Sequence, residues 1–138
     1  MIYKATQEVA TALNGLRFNF YYNIYDDDTY SQVICTIDGK YLTYQIHFLS
    51  QNDNDLQIGA VLAKFPEDKQ ETIILFANQC NAKYRHLRFV VNCYDNSLQV
   101  EYDCMLCSNP GKDAVEILLL ITTIVESISS DLMHQIWS

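Results

Sequence analysis

The sequence Tyr30-Ser-Gln-Val-Ile-Cys-Thr-Ile-Asp-Gly39 begins the part of the chain that decides its fold. It is rich in β-branched and aromatic residues and ends in Asp-Gly, the strongest short-range signal for a β-hairpin. Residues 41–48 then alternate apolar and polar side chains, and residues 56–63 repeat that alternation after a polar loop. The stretch therefore predicts three consecutive strands, which lead through Phe65 and Pro66 into a helix.

The remaining segments predict the elements that surround this meander. Apolar spacing and a possible left-handed Gly15 predict a helix over residues 2–14, and alternation predicts a strand over 16–24. Further patterns predict a helix from Pro66 to about 84, strands over 87–93 and 98–104, and a long helix over 113–136. This order predicts an α+β fold in two layers, with five or six antiparallel strands covered by helices on one face. At 138 residues, we expect a single domain over 1–138.

Composition and charge limit the kinds of partner. The net charge is −8 and the pI is about 4.6, which argues against nucleic acid, because binding to phosphates depends on clustered Lys and Arg. The longest apolar run, 117–121, is far shorter than the roughly 20 residues that span a bilayer. The first residues lack a secretory pattern, so we expect a cytoplasmic protein that does not bind membranes.

The five cysteines indicate a reducing compartment rather than disulfides. Cys35 and Cys93 fall on predicted inward strand positions, and Cys80 lies on the apolar stripe of the middle helix. Cys104 and Cys107 form a CxxC pair without a second pair, and this pair closes a strand, whereas a redox pair typically opens a helix. We therefore expect no metal site.

No catalytic motif is present in the sequence. There is no GxSxG, P-loop or GxGxxG motif, and His47, His86 and His134 have no spacing typical of shared metal ligands. We expect no catalytic residues, no cofactor and no enzymatic activity. A small-molecule-binding or hydrolytic protein is the weaker alternative.

The strand positions that point away from the predicted helices suggest how the protein acts. Tyrosine is common in strands simply because it packs well there, but it also suits recognition surfaces because its ring is large and its hydroxyl is polar. The predicted partner-binding residues are Tyr21, Tyr30, Ile34, Tyr41, Thr43, Gln45, Val61, Val90 and Tyr94. We expect a domain that binds a partner polypeptide and forms a homodimer. A purely structural, self-associating subunit is the alternative, and Val115, Leu119 and Leu120 lie outside the main stripe of the last helix, where a second chain could contact them.

Several segments resemble a known family. Residues 35–39, 42–49, 56–66, 81–91 and 98–103 together are similar to the YbjN-like proteins and to the class I chaperones of type III secretion. The resemblance covers about 16–137 and implies a small, acidic α+β domain that dimerises and holds an extended partner without ATP. It implies no catalytic residue. The usual family pattern has three strands before the middle helix, whereas this sequence predicts a fourth over 16–24.

Overall fold

The computed structural model describes residues 2–16, 20–27, 29–53, 55–104 and 109–138. Within these ranges, three α-helices and six strands follow one another: α1 (Lys4–Asn14), β1 (Phe20–Asp26), β2 (Ser31–Asp38), β3 (Thr43–Ser50), β4 (Leu56–Lys64), α2 (Gln70–Lys83), β5 (Arg88–Asn92), β6 (Ser97–Cys104) and α3 (Pro110–Trp137). A 3-10 turn at Glu67–Lys69 precedes α2.

All six strands form one antiparallel sheet in the order β1-β2-β3-β4-β6-β5. Alternate residues of each strand point to the same face, and on one face they form the core with the helices. Cys35, Ile46 and Ala60 are directly opposite one another on β2, β3 and β4, and each is at most 1% exposed. The predicted two-layer α+β fold is therefore confirmed, and the fourth strand before the middle helix is the edge strand β1.

The turn between β2 and β3 is longer than the sequence predicts. The Gly39 N–H donates to the Leu42 carbonyl at 3.0 Å, and no described glycine has a positive φ, so this is not the two-residue turn that Asp-Gly favours. β3 consequently begins at Thr43, and Tyr41 lies in the turn rather than in the strand.

Three helix ends also differ from the prediction. Gly15 has φ −80°, so α1 does not end in a left-handed glycine; the Gly15 N–H donates to the Ala12 carbonyl instead. Pro66 has an extended conformation and immediately precedes the 3-10 turn, whereas the sequence placed it at the first helical position. α3 begins at Pro110, three residues before the predicted start at 113, because the Asn109 side chain caps it by accepting from the Lys112 N–H at 3.2 Å and Pro110 suits the first helical position.

The N-terminus of α1 is capped by the sheet. Its own cap residue, Tyr3, offers no side-chain bond, but the Tyr3 N–H donates to the Ser31 hydroxyl at 3.0 Å and the Lys4 N–H donates to Asp53 at 2.8 Å. The hydroxyls of Ser31 and Thr6 lie 2.7 Å apart, and both residues are fully buried. These bonds satisfy N–H groups that a helix leaves unpaired, and they fix α1 to β2.

The predicted apolar stripe of α3 is buried in full: Ala114, Ile117, Leu118, Ile121, Ile124, Val125, Ile128 and Leu132. Outside the stripe, Leu119 is exposed and Val115 and Leu120 are partly buried. Cys35 and Cys80 are buried as expected. The prediction for Cys93 was wrong, because β5 ends at Asn92 and Cys93 is exposed in the following turn.

Candidate binding surface

The sheet face opposite the helices is called the open face here. Its members alternate with the core residues, as the strand register requires. Helix residues pack on the core face only, and the described open-face side chains are exposed or partly buried by their neighbours, apart from Ser97 at the start of β6. The face consists mainly of Tyr21, Asn23, Tyr25, Gln32, Ile34, Thr36, Thr43, Gln45, His47, Leu49, Gln57, Gly59, Val61, Arg88, Val90, Asn92, Gln99 and Glu101.

Most of the predicted partner-binding residues lie on this face. Six of them are strand residues of the open face: Tyr21, Ile34, Thr43, Gln45, Val61 and Val90. The other three lie in turns, so the sheet does not bring them to the centre of the face. Tyr30 precedes β2, Tyr41 lies beneath the Lys40 ammonium at 5.2 Å, and Tyr94 is fully exposed between β5 and β6.

Between their ends, β2, β3 and β4 carry amides and no acidic, lysine or arginine side chain on the open face. Gln32, Gln45 and Gln57 come from three adjacent strands, and within the described chain none of their side-chain amides has a hydrogen-bond partner. Gln99 differs, since its amide donates to the Ser97 hydroxyl at 3.0 Å. Sequence reasoning selected aromatic and apolar positions and missed three of these four glutamines, although the same alternation would have placed them outward.

The described open face also carries charged side chains. Glu101 on β6 lies directly opposite Gly59 of β4, and it forms a salt bridge with Arg88 of the edge strand β5. At the start of β3, the Thr43 hydroxyl donates to the Asp38 carboxylate at 2.7 Å. In a protein with net charge −8, the uncharged stretch between the ends of β2, β3 and β4 is a distinct feature of this surface.

Two hollows lie on the open face. One has a volume of about 340 Å³ and contains His47, the amides of Gln32, Gln57 and Gln99 and the carboxylate residue Glu101, with Leu49 as an apolar wall. The second, of about 430 Å³, is lined mainly by Tyr21, Thr36, Thr43, Gln45, Val61 and Ala63, with Lys64 at the end of β4. Both mix apolar walls with groups that donate and accept hydrogen bonds, as recognition sites commonly do.

A glycine shapes the first hollow. His47 and Gly59 are opposite each other on β3 and β4, and a methyl group at Gly59 would lie 3.3 Å from Nε2 of His47. The missing side chain therefore leaves room for the imidazole to lie close to the sheet. Burial there lowers the pKa of His47, because the charged form loses contact with water.

The described residues offer no cluster of metal ligands, and their buried thiols are protonated. They contain no cluster of three or more His, Cys, Asp or Glu residues that could hold a metal ion. Burial raises the pKa of the Cys35 thiol to about 12 and that of Cys80 to about 11, which disfavours the reactive thiolate. Residues 105–108, which include Cys107 of the CxxC pair, lie outside the described residues. Among the described helices, none has the length and apolar character needed to cross a bilayer.

In the described part of the chain, three helices lie on one side of a six-stranded antiparallel sheet and leave its other side uncovered, which defines a two-layer α+β protein. A family profile narrows this class, since residues 6–132 match YbjN, described as "Putative bacterial sensory transduction regulator". The chain belongs to the YbjN family. No curated protein matches its sequence.

Proposed function

We propose that this protein is a non-enzymatic, chaperone-like or adaptor domain over residues 1–138 that holds an extended segment of another polypeptide on the open face. We further propose that it acts in the cytoplasm as a homodimer. The description of the YbjN family as a regulator is compatible with a role that depends on protein contacts. The arrangement of the described residues supports binding better than chemistry, because they form an accessible surface without a metal cluster.

The observation that carries this proposal is the set of unpaired amides at the centre of the open face. Gln32, Gln45 and Gln57 lie on adjacent strands, and each can donate and accept hydrogen bonds. A polypeptide backbone has the same two functions in every peptide group. Amides on neighbouring strands can therefore bond to the main chain of a segment that crosses the sheet.

The apolar residues of the face add contact area for the partner's side chains. Ile34, Val61 and Val90 are partly buried and interrupt the amides on β2, β4 and β5. The two hollows, of about 340 and 430 Å³, provide depressions between these residues. Because the open-face positions between the ends of β2, β3 and β4 carry no acidic, lysine or arginine side chain, we expect the part of the segment bound there to be uncharged and polar with small apolar side chains.

A charge placed at the centre of the open face tests the proposal. Gln45→Glu changes only one amide to a carboxylate on an exposed residue, so the fold is expected to remain intact. In a complex, the bound segment would cover that charge without an opposite charge beside it. The affinity for the partner should therefore fall at least about tenfold, or ~1.4 kcal/mol. Gln79→Glu is the matched control, because Gln79 is exposed on α2 and lies away from the open face.

The measurement is quantitative capture of polypeptides from extracts of the native host by each tagged variant, followed by titration of the captured partner. We expect Gln79→Glu to retain the partner and Gln45→Glu to lose it. Equal retention by both variants would contradict the proposal. If the protein is instead a purely structural subunit that covers this face with a second copy, Gln45→Glu would convert the oligomer to a monomer.

A further inference from the structure

The two edge strands of the sheet, β5 and β1, differ in the hydrogen bonds that the rest of the described chain makes to their backbone. At the β5 edge, Asn81 of α2 accepts from the Phe89 N–H at 2.7 Å and donates to the Phe89 carbonyl at 2.9 Å. These bonds occupy the backbone groups to which another strand would bind. At the β1 edge, none of the described residues provides an equivalent bond to Tyr22 or Ile24.

β1 also lacks the usual features that prevent association. Residues 20–25 contain no charge, proline or glycine, and their pairing with β2 has no bulge. Tyr21 is 63% exposed, Tyr25 48% and Ile24 42%. On the core face of β1, Tyr22 packs against the core and its hydroxyl donates to the Asn14 side chain of α1, but Ile24 stays exposed although it lies opposite the fully buried Val33. An apolar edge strand with exposed residues on both faces is a surface that another strand can stabilise.

The hydrogen-bond pattern shows which groups of β1 face outward. The Asp27 N–H donates to the Tyr30 carbonyl at 2.8 Å, so this pair is hydrogen-bonded across the turn. Antiparallel pairs alternate between bonded and non-bonded. Tyr21, Asn23 and Tyr25 therefore bond to β2, while the N–H and C=O groups of the even-numbered residues from Phe20 to Asp26 point away from the sheet.

We infer that β1 pairs antiparallel with β1 of a second copy, about a two-fold axis at Asn23. In this register Tyr22 of one copy and Ile24 of the other exchange hydrogen bonds. Each of the seven residues of the strand then lies opposite a residue of the second copy. Axes at Tyr22 or Ile24 satisfy the same alternation but pair only five residues, and a shift by one residue would bring bonding groups opposite non-bonding ones.

The side chains are complementary in the Asn23 register. Tyr21 lies opposite Tyr25 of the second copy at a non-hydrogen-bonded position, where side chains approach most closely and aromatic pairs are favourable. Asp26 lies opposite Phe20, so no like charges face each other directly. The two six-stranded sheets join edge to edge, and the two open faces become one continuous surface. The use of this continuous surface to hold a partner segment rests on the proposed function, whereas the pairing of the two β1 strands does not.

Mass measurements over a range of protein concentrations test the pairing. We expect a reversible dimer for the parent protein, and a twofold lower mass for Ile24→Lys at the concentration where the parent is dimeric, because a lysine on an edge opposes strand addition. Leu75→Lys is the control, since Leu75 is 63% exposed on α2 and should leave the dimer unchanged. A parent that stays monomeric, or a dimer that Ile24→Lys does not disrupt, would overturn the inference.

Disulfide cross-linking tests the register in the full-length protein with Cys93→Ser as background. In Asn23→Cys, the cysteine of one copy lies opposite the same cysteine of the second copy across the two-fold axis. Their Cα atoms are about 4.5 Å apart, which is within the range for a disulfide. In Tyr25→Cys, each cysteine lies opposite residue 21 of the second copy. The two cysteines are therefore four residues apart along the strand, or about 13 Å at ~3.3 Å per residue, and should not cross-link. Cross-linking of Tyr25→Cys instead of Asn23→Cys would exclude the register. A dimer that forms while Gln45→Glu still binds the partner would contradict partner binding on the open face alone. A monomer that captures the partner would contradict the pairing and the proposed homodimer, but not partner binding on the open face.

Discussion

Ile46 and Gln45 are adjacent on β3 and point to opposite faces of the sheet, so replacing each with alanine measures how differently the two faces are packed. Ile46 is fully buried, and its direct neighbours on the adjacent strands are the short side chains of Cys35 and Ala60. These neighbours cannot extend to fill the cavity that Ile46→Ala leaves. We therefore expect a loss of about 3–4 kcal/mol in the free energy of unfolding, in the upper part of the usual range.

Urea denaturation followed by circular dichroism is the assay. With a slope of roughly 1–3 kcal/mol per M, this loss moves the midpoint down by about 1–4 M. Gln45 is exposed, and Gln45→Ala should change the free energy of unfolding by no more than about 0.5 kcal/mol. Comparable losses for both variants would mean that both faces of the sheet are packed, and the reasoning about the open face would be refuted.

Three further predictions concern the cap of α1, the imidazole on the open face and the thiols. Ser31→Ala removes the acceptor for the Tyr3 N–H and leaves the buried Thr6 hydroxyl unpaired, so it should cost about 2–3 kcal/mol in urea denaturation. The fold lowers the pKa of His47. Its contribution to stability is therefore complete above the unfolded pKa of about 6.5 and is lost as the pH falls through the folded pKa. His47→Gln should reduce this loss of stability on acidification. In the native protein, iodoacetamide should modify Cys93 well before Cys80, which peptide mass mapping can follow over time.

Each of these predictions has a control and a contrary outcome. Ser50 lies opposite Ser31, and its buried hydroxyl has no partner in the described chain, so Ser50→Ala should be neutral or stabilising; a loss equal to that of Ser31→Ala would contradict the cap. His86 is exposed, and His86→Gln should leave the effect of acidification in place. Labelling of Cys35 at the rate of Cys93 would show that the core opens readily.

The sequence predicted the elements well where one face of each element is buried. Alternation in β3 and β4 and the stripe of α3 identified the core, since burial requires apolar residues at the period of the element. The β2–β3 turn was predicted less well, because Asp-Gly signals a two-residue turn while the pairing of Asp38 with Thr43 leaves four residues between the strands.

The centre of the open face depends on pairing that the sequence does not reveal. Gln57 and Gln99 line one hollow only because β4 pairs with β6, and β6 follows α2 and β5 in the chain. The cap of α1 by Ser31 and the protection of Phe89 by Asn81 likewise join residues through tertiary contacts. Local patterns carry no information about such neighbours. They also do not show where pairing ends, which explains why the tyrosines in turns were grouped with the sheet face.

Site-specific photo-cross-linking in cells of the native host tests the binding surface most directly. A photoreactive residue at Gln57 lies in the amide-lined hollow, and the same residue at Leu75 lies on the solvent side of α2. We predict that the Gln57 probe forms a covalent adduct with another polypeptide and that Gln45→Glu abolishes it, while the Leu75 probe forms none. Adducts at Leu75 with none at Gln57 would contradict the account.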